Sequence, residues 1–139
     1  MVAIGEILVP FDDSANSRRA LDHALLMAEK IGAKITLVHV ISYHGAMAKV
    51  IGSYKGTLIK HVTKFLDEAR DRASSRGVEL SYKVLYGSAA EEILGFTKSK
   101  KFDLIVMGKR GTNKQSGQML GSVSNAIVQS SKIPTMVVT

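Results

Sequence analysis

Residues 107–124 read MGKRGTNKQSGQMLGSVS. They follow an apolar run, Leu104-Ile105-Val106, that reads as a buried strand, and precede Ala126-Ile127-Val128, which reads as the inner face of a helix. Between them lie Gly108, Gly111, Gly117 and Gly121, with hydroxyls at Thr112, Ser116, Ser122 and Ser124. A glycine-rich link from strand end to helix start suits an anion. Glycine permits φ > 0 and a close backbone approach, and the following helix N-terminus offers free N–H groups and a partial positive charge. The plainer reading is a glycine-rich loop ended by a helix cap. Neither the P-loop spacing G-x4-G-K-[ST] nor the dinucleotide spacing G-x-G-x-x-G occurs.

Outward from this link, the chain alternates strand and helix patterns. Residues 6–11, EILVPF, form a short apolar strand, broken by Asp12-Asp13-Ser14. Residues 14–31 have helix period, with Ala20, Leu21, Ala24, Leu25, Ala28 and Ile31 on one face; Asp13 or Ser14 caps the start and Gly32 ends it. Residues 34–41, KITLVHVI, read as a strand covered on both sides. Residues 42–56 are the least readable part, expected to be a mobile loop with a helical turn. Residues 57–75 return to helix period through Leu58, Val62, Phe65, Leu66, Ala69 and Ala73. Residues 78–86 alternate apolar and polar, which predicts a sheet-edge strand. Ser88 caps a helix to about residue 98, with Glu91 completing a capping box and Ala90, Ile93 and Leu94 facing inward. Residues 102–107 form the fourth strand, 122–131 the last helix and 134–139 the fifth strand.

The order βαβαβαβαβ predicts one α/β domain over residues 1–139, a doubly wound parallel five-stranded sheet of order 3-2-1-4-5 with helices on both faces. In that order the chain reverses between strands 1 and 4, and ligands of open sheets bind beyond the strand ends at the reversal. Pro10-Phe11-Asp12 would there meet Gly108.

The spacing Gly108, Gly111, Gly121-Ser122 is G-x2-G-x9-G-[ST], which resembles the nucleotide-binding signature of the ATP-binding branch of the universal stress protein family. PFDDS at 10–14 resembles that family's P-x-D-x-S start, and LVHV at 37–40 its L-H-V on the second strand, so the resemblance covers nearly the whole chain. It implies a Rossmann-like fold of the adenine nucleotide alpha hydrolase type. It also implies ATP with Mg2+ as ligand, the adenine and ribose near the ends of strands 1 and 2 and the phosphates in the glycine loop. Carried over residue by residue, it implies Pro10, Asp12, Val40, Gly108, Gly111, Gly121, Ser122 and Ser124. Lys109, Arg110, Thr112, Asn113 and Lys114 would contribute through the loop backbone, and Val123 through its N–H. The family often has a small or polar residue after the first glycine, where this chain has Lys109-Arg110. Two cations there would strengthen attraction for a triphosphate, or face solvent.

Each assignment has a chemical reason and a structural alternative. Asp12 can accept hydrogen bonds from ribose hydroxyls or reach a metal through water; it can also cap the first helix. Val40 can offer main-chain N–H and C=O groups to an adenine edge, while its side chain suits the core. Ser122 and Ser124 can bond phosphate oxygens, and Ser122 can cap. Magnesium keeps much of its hydration, so no protein ligand is assigned to it.

Composition sets limits. Hydrophobic residues make up 45% and charged residues 22% of the 139, which places the chain among globular domains. It has no cysteine, excluding disulfides and thiolate metal sites. No apolar run reaches the length of a membrane span, and the N-terminus lacks a signal-peptide pattern; a cytoplasmic location is expected. The net charge of +7 is spread over solvated helix faces without a basic block, so nucleic-acid binding is not expected. His23, His39, His44 and His61 have no metal-ligand spacing, and His39 reads as a satisfied core histidine. No G-x-S-x-G elbow or acid–base carboxylate pair is present, so no catalytic residue is assigned. Thr135–Val138 would be an exposed, β-branched edge that invites pairing with a second copy; the resemblance implies the same homodimer. The expected function is an ATP-binding regulatory or stress-response switch. Its rivals are a slow ATPase or nucleotide-dependent enzyme and a dimeric interaction module without nucleotide.

Overall fold

The computed structural model describes residues 3–42, 47–110 and 120–139, with the backbone alone over 47–53. Nine elements follow in order among these residues: β1 Glu6–Pro10, α1 Ala15–Ile31, β2 Lys34–Ile41, α2 Met47–Ser75, β3 Leu80–Tyr86, α3 Ala89–Ser99, β4 Leu104–Gly108, α4 Ser122–Ser130 and β5 Thr135–Val138. The five strands form one sheet in the order β3-β2-β1-β4-β5. Every neighbouring pair is parallel. Both edge assignments, β3 and β5, agree with the sequence expectation.

Period-2 alternation sends successive strand residues to opposite faces. Ile7, Val9, Ile35, Leu37 and Val106 join Leu21, Leu25, Phe65 and Leu66 in a core between the sheet and α1–α2. Leu8, Val38, Ile105 and Met107 join Ile93 and Ile127 between the sheet and α3–α4. Strands covered on both sides need continuous apolar runs, which explains the patterns of β1, β2 and β4. Each fully buried Leu or Ile contributes roughly 1.5–3 kcal/mol of transfer free energy.

Helix ends follow local chemistry. The Ser14 side chain accepts the Ser17 N–H, and Gly32 closes α1 in the left-handed conformation at φ 73. Asp103 accepts hydrogen bonds from Gly5 N (2.9 Å) and Glu6 N (3.0 Å), fixing the start of β1 against the entry to β4.

Five local expectations need correction. Ile31, expected on the inner face of α1, is exposed. The second helix begins at Met47, not residue 57; the part of the expected loop over 43–46 lies outside the described residues. Gly52 and Gly56 depress helix propensity, but extending a formed helix adds one hydrogen bond per residue fixed, so the packed stretch from Leu58 onward can carry its own N-terminal extension. Ser88 is the N-cap of α3 but its side chain makes no capping bond, so the capping box is absent. Glu91 and Glu92 instead place negative charge against the first turn. Gly121, not Ser122, is the N-cap of α4. Val128 is exposed, leaving Ile127 as the fully buried residue of α4. No helix among the described residues is long and apolar enough to cross a membrane.

Candidate functional site

The reversal of strand order lies between β1 and β4, and the site is built at their C-terminal ends. The last rung of β1 is Phe11 N to Val38 O at 2.9 Å. The chain then turns sharply. Asp13 sits at φ 62, a conformation that Asp tolerates because its short polar side chain hydrogen-bonds locally. Asp12 Oδ1 accepts the Ser14 N–H at 3.0 Å, Ser14 Oγ accepts the Ser17 N–H at 3.2 Å, and Ser17 Oγ donates to Ser14 O at 3.1 Å. Asp12 therefore does not cap α1 itself but steadies the residue that does. His39, on β2, brings Nδ1 within 2.8 Å of Phe11 O. Its ring stands edge-on to Phe65, with centroids 5.2 Å apart.

At the end of β4, Gly108 is pressed against the first turn of α1. A Cβ there would lie 2.8 Å from the Asn16 carbonyl carbon and 3.0 Å from its oxygen, closer than packed atoms come. Lys109 N continues the ladder by donating to Val138 O at 2.7 Å. Lys109 O accepts from Gly121 N at 2.9 Å and from Ser124 Oγ at 2.6 Å. These two bonds tie the residues before 111–119 to those after it. A Cβ on Gly121 would come within 3.3 Å of Arg110 Cα, so glycine lets the two sides of this junction close.

The ends of β1, β2 and β4 and the N-termini of α3 and α4 enclose a cavity of about 360 Å³. Of the residues expected in the site, Pro10, Asp12, Val40, Gly108, Arg110, Gly121, Ser122, Val123 and Ser124 all line it. Lys109 does not; its backbone is taken up by Val138, Gly121 and Ser124. Gly111, Thr112, Asn113 and Lys114 lie outside the described residues.

Phe11, Ser17, His39, Ser42, Ala89 and Ile93 also line the cavity. Apart from Phe11, already expected where the ends of strands 1 and 4 meet, sequence reasoning missed them as site residues. His39 carried a signal, being the polar residue of an apolar strand beside Val40. Ala89 and Ile93 carried none, because their place depends on how α3 folds back over the sheet.

The first backbone N–H groups of α4 have no partners within the helix and carry the positive end of its dipole. Gly121, Ser122, Val123 and Ser124 bring that end to the cavity wall, and Arg110 adds a cation. Val38, Val40 and Ile93 give the cavity an apolar wall for a flat ring. Asp12 stands between β1 and α1 with a carboxylate suited to hydroxyls. The arrangement can hold a molecule with a flat apolar part at one end and an anion at the other. Among the described residues no group of three His, Cys, Asp or Glu side chains is placed to hold a metal ion.

Comparison with known proteins agrees with this architecture. Residues 4–139 match the sequence model of the Universal stress protein family. The universal stress protein YxiE of Bacillus subtilis is 32% identical, over 96% of this chain and 97% of its own. Among solved structures, UspA from Lactobacillus plantarum superposes with a TM-score of 0.90 at 23% identity, covering all of both chains. A universal stress protein in complex with cAMP superposes with a TM-score of 0.77 at 25% identity, covering 99% of this chain and 98% of that one.

Proposed function

The chain belongs to the universal stress protein family, and we propose that it binds ATP, with Mg2+, in the cavity between the ends of β1 and β4. It works there as a nucleotide-governed regulatory switch of the cytoplasm. The observation that carries this reading is the convergence of Pro10, Asp12, Val40, Gly108 and the α4 N-terminus on one cavity. The cAMP complex of a family member adds support for an adenine nucleotide.

In this reading Val40 meets the base through main-chain groups, and Asp12 accepts from ribose hydroxyls. The phosphates lie against Gly121, Ser122, Val123 and Ser124, with Arg110 as counter-charge. The fit of an anion rests on the donor set: helix-terminal N–H groups and the Ser122 hydroxyl, with backbones brought together by Gly121. Magnesium travels with the phosphates and water, since no cluster of ligating side chains waits for it among the described residues. Occupancy changes the surface around residues 108–124, and a switch follows when a partner distinguishes the two states. The chain works as a homodimer through Thr135–Val138, the outer edge of the sheet, where Met136 is exposed.

An enzyme reading needs a positioned nucleophile or base as well as charge stabilisers, and the cavity supplies stabilisers. The test is to denature the purified protein and identify any released nucleotide by mass spectrometry. ATP near one per chain is expected. ADP alone, with steady phosphate release lost in Asp12→Asn, would favour an ATPase instead.

A further inference from the structure

In a parallel pair the hydrogen bonds of one strand alternate sides, so residues two apart direct N–H and C=O the same way. Val38 O accepts from Phe11 N at 2.9 Å, so Val38 turns its backbone groups toward β1, and Val40 does the same. With Pro10 opposite Val38, the next rung of a continuing ladder would run from Val40 N to Phe11 O. The pairing stops before it, and Phe11 O lies 2.8 Å from His39 Nδ1. A carbonyl oxygen only accepts, so Nδ1 carries the hydrogen. The ring is held from its other side by Phe65, at 5.2 Å and 78°. Both Val40 and His39 line the cavity.

We propose that His39 is a positioning residue that ends the β1–β2 ladder: by taking the Phe11 carbonyl through Nδ1–H, it leaves the main-chain N–H and C=O of Val40 open to the cavity for a ligand's donor–acceptor edge. Together with the bond from Phe11 N–H to Val38 O, this bond holds Phe11 at both its N–H and its C=O, one residue before Asp12. The inference rests on the nucleotide reading above and adds a device for exposing the base-reading backbone.

The test uses the full chain with three substitutions. In His39→Asn the side-chain amide nitrogen occupies the place of Nδ1 and can still donate to Phe11 O. In His39→Gln the amide sits one carbon further out, and His39→Leu has no donor. ATP affinity is read by calorimetry, and exchange of the Val40 amide hydrogen by NMR in the free protein. His39→Leu and His39→Gln are expected to bind ATP roughly fivefold to tenfold more weakly, the scale of one hydrogen bond. Their Val40 amides are expected to exchange more slowly than in wild type, because the rung to Phe11 O closes. His39→Asn is expected to restore both readouts. A packing role alone would lower the melting temperature without protecting Val40. Wild-type binding of ATP matched by His39→Leu, with unchanged Val40 exchange, overturns this inference alone. Wild-type protein that binds no ATP overturns the nucleotide reading and this inference with it.

Discussion

At the scale of single residues, the site depends on atoms that have two tasks at once. Asp12 is an instance: one carboxylate oxygen holds the Ser14 N–H at 3.0 Å, while the residue lines the cavity. Asn in its place keeps an oxygen for Ser14 and loses the charge. Asp12→Asn is therefore expected to leave the melting temperature nearly unchanged while weakening ATP binding about tenfold, the scale of a charge-assisted bond; calorimetry beside thermal unfolding separates the two. Gly108 is the opposite case. Its substitution by Ala drives a Cβ to 2.8 Å from the Asn16 backbone, and a cost of about 1–3 kcal/mol is expected from urea unfolding, as for other overpacked sites. The meeting of Pro10 and Asp12 with Gly108 was legible in the sequence because the topology brings the ends of strands 1 and 4 to the reversal, while Val40 entered only through the resemblance to the family. Ala89 and Ile93 were not legible, because only the docking of α3 over the sheet brings them there.

At the scale of elements, each strand and helix junction is closed by a few directed bonds. Ser124 Oγ donates to Lys109 O at 2.6 Å and lies 3.1 Å from Gly121 O. Ser124→Ala leaves Lys109 O with the Gly121 N–H alone, and a loss of about 1 kcal/mol is expected, read as a lower urea midpoint. At the other end of the sheet, hydrogen bonds from Gly5 N and Glu6 N hold the Asp103 carboxyl below its ordinary value. A depressed carboxylate stabilises the fold above its unfolded pKa, about 3.9, and that contribution is lost as pH falls through the lower, folded value. The melting temperature of Asp103→Asn is therefore expected to fall below wild type near neutral pH and to converge with it as the pH falls through the depressed, folded value. The order of elements was legible because β1, β2 and β4 are predominantly apolar runs without strict alternation while α1 has strict helix period. The start of α2 was hidden because Gly52 and Gly56 read as loop residues, and helix extension from a packed segment leaves no local mark.

At the scale of the whole molecule, a five-stranded sheet with two covered faces has two edges, β3 and β5. β5 is short, and exposes Met136. Pairing of two β5 edges would satisfy their outer backbone groups and cover that side chain. Light scattering is expected to give twice the chain mass of 15.0 kDa, reduced toward one chain by Met136→Lys; a single-chain mass at every concentration would remove the dimer from the account. The central claim is the cavity at the strand reversal, where the turn after β1 supplies a carboxylate, β2 an amide edge and α4 a positive terminus. The most direct test is titration of nucleotide-free protein with ATP and magnesium in the calorimeter, with a melting curve at saturation. One ATP bound per chain and a melting temperature that rises with ligand concentration are predicted. No heat and no shift at saturating ATP would contradict it, leaving an α/β domain of this family whose cavity serves another ligand or none.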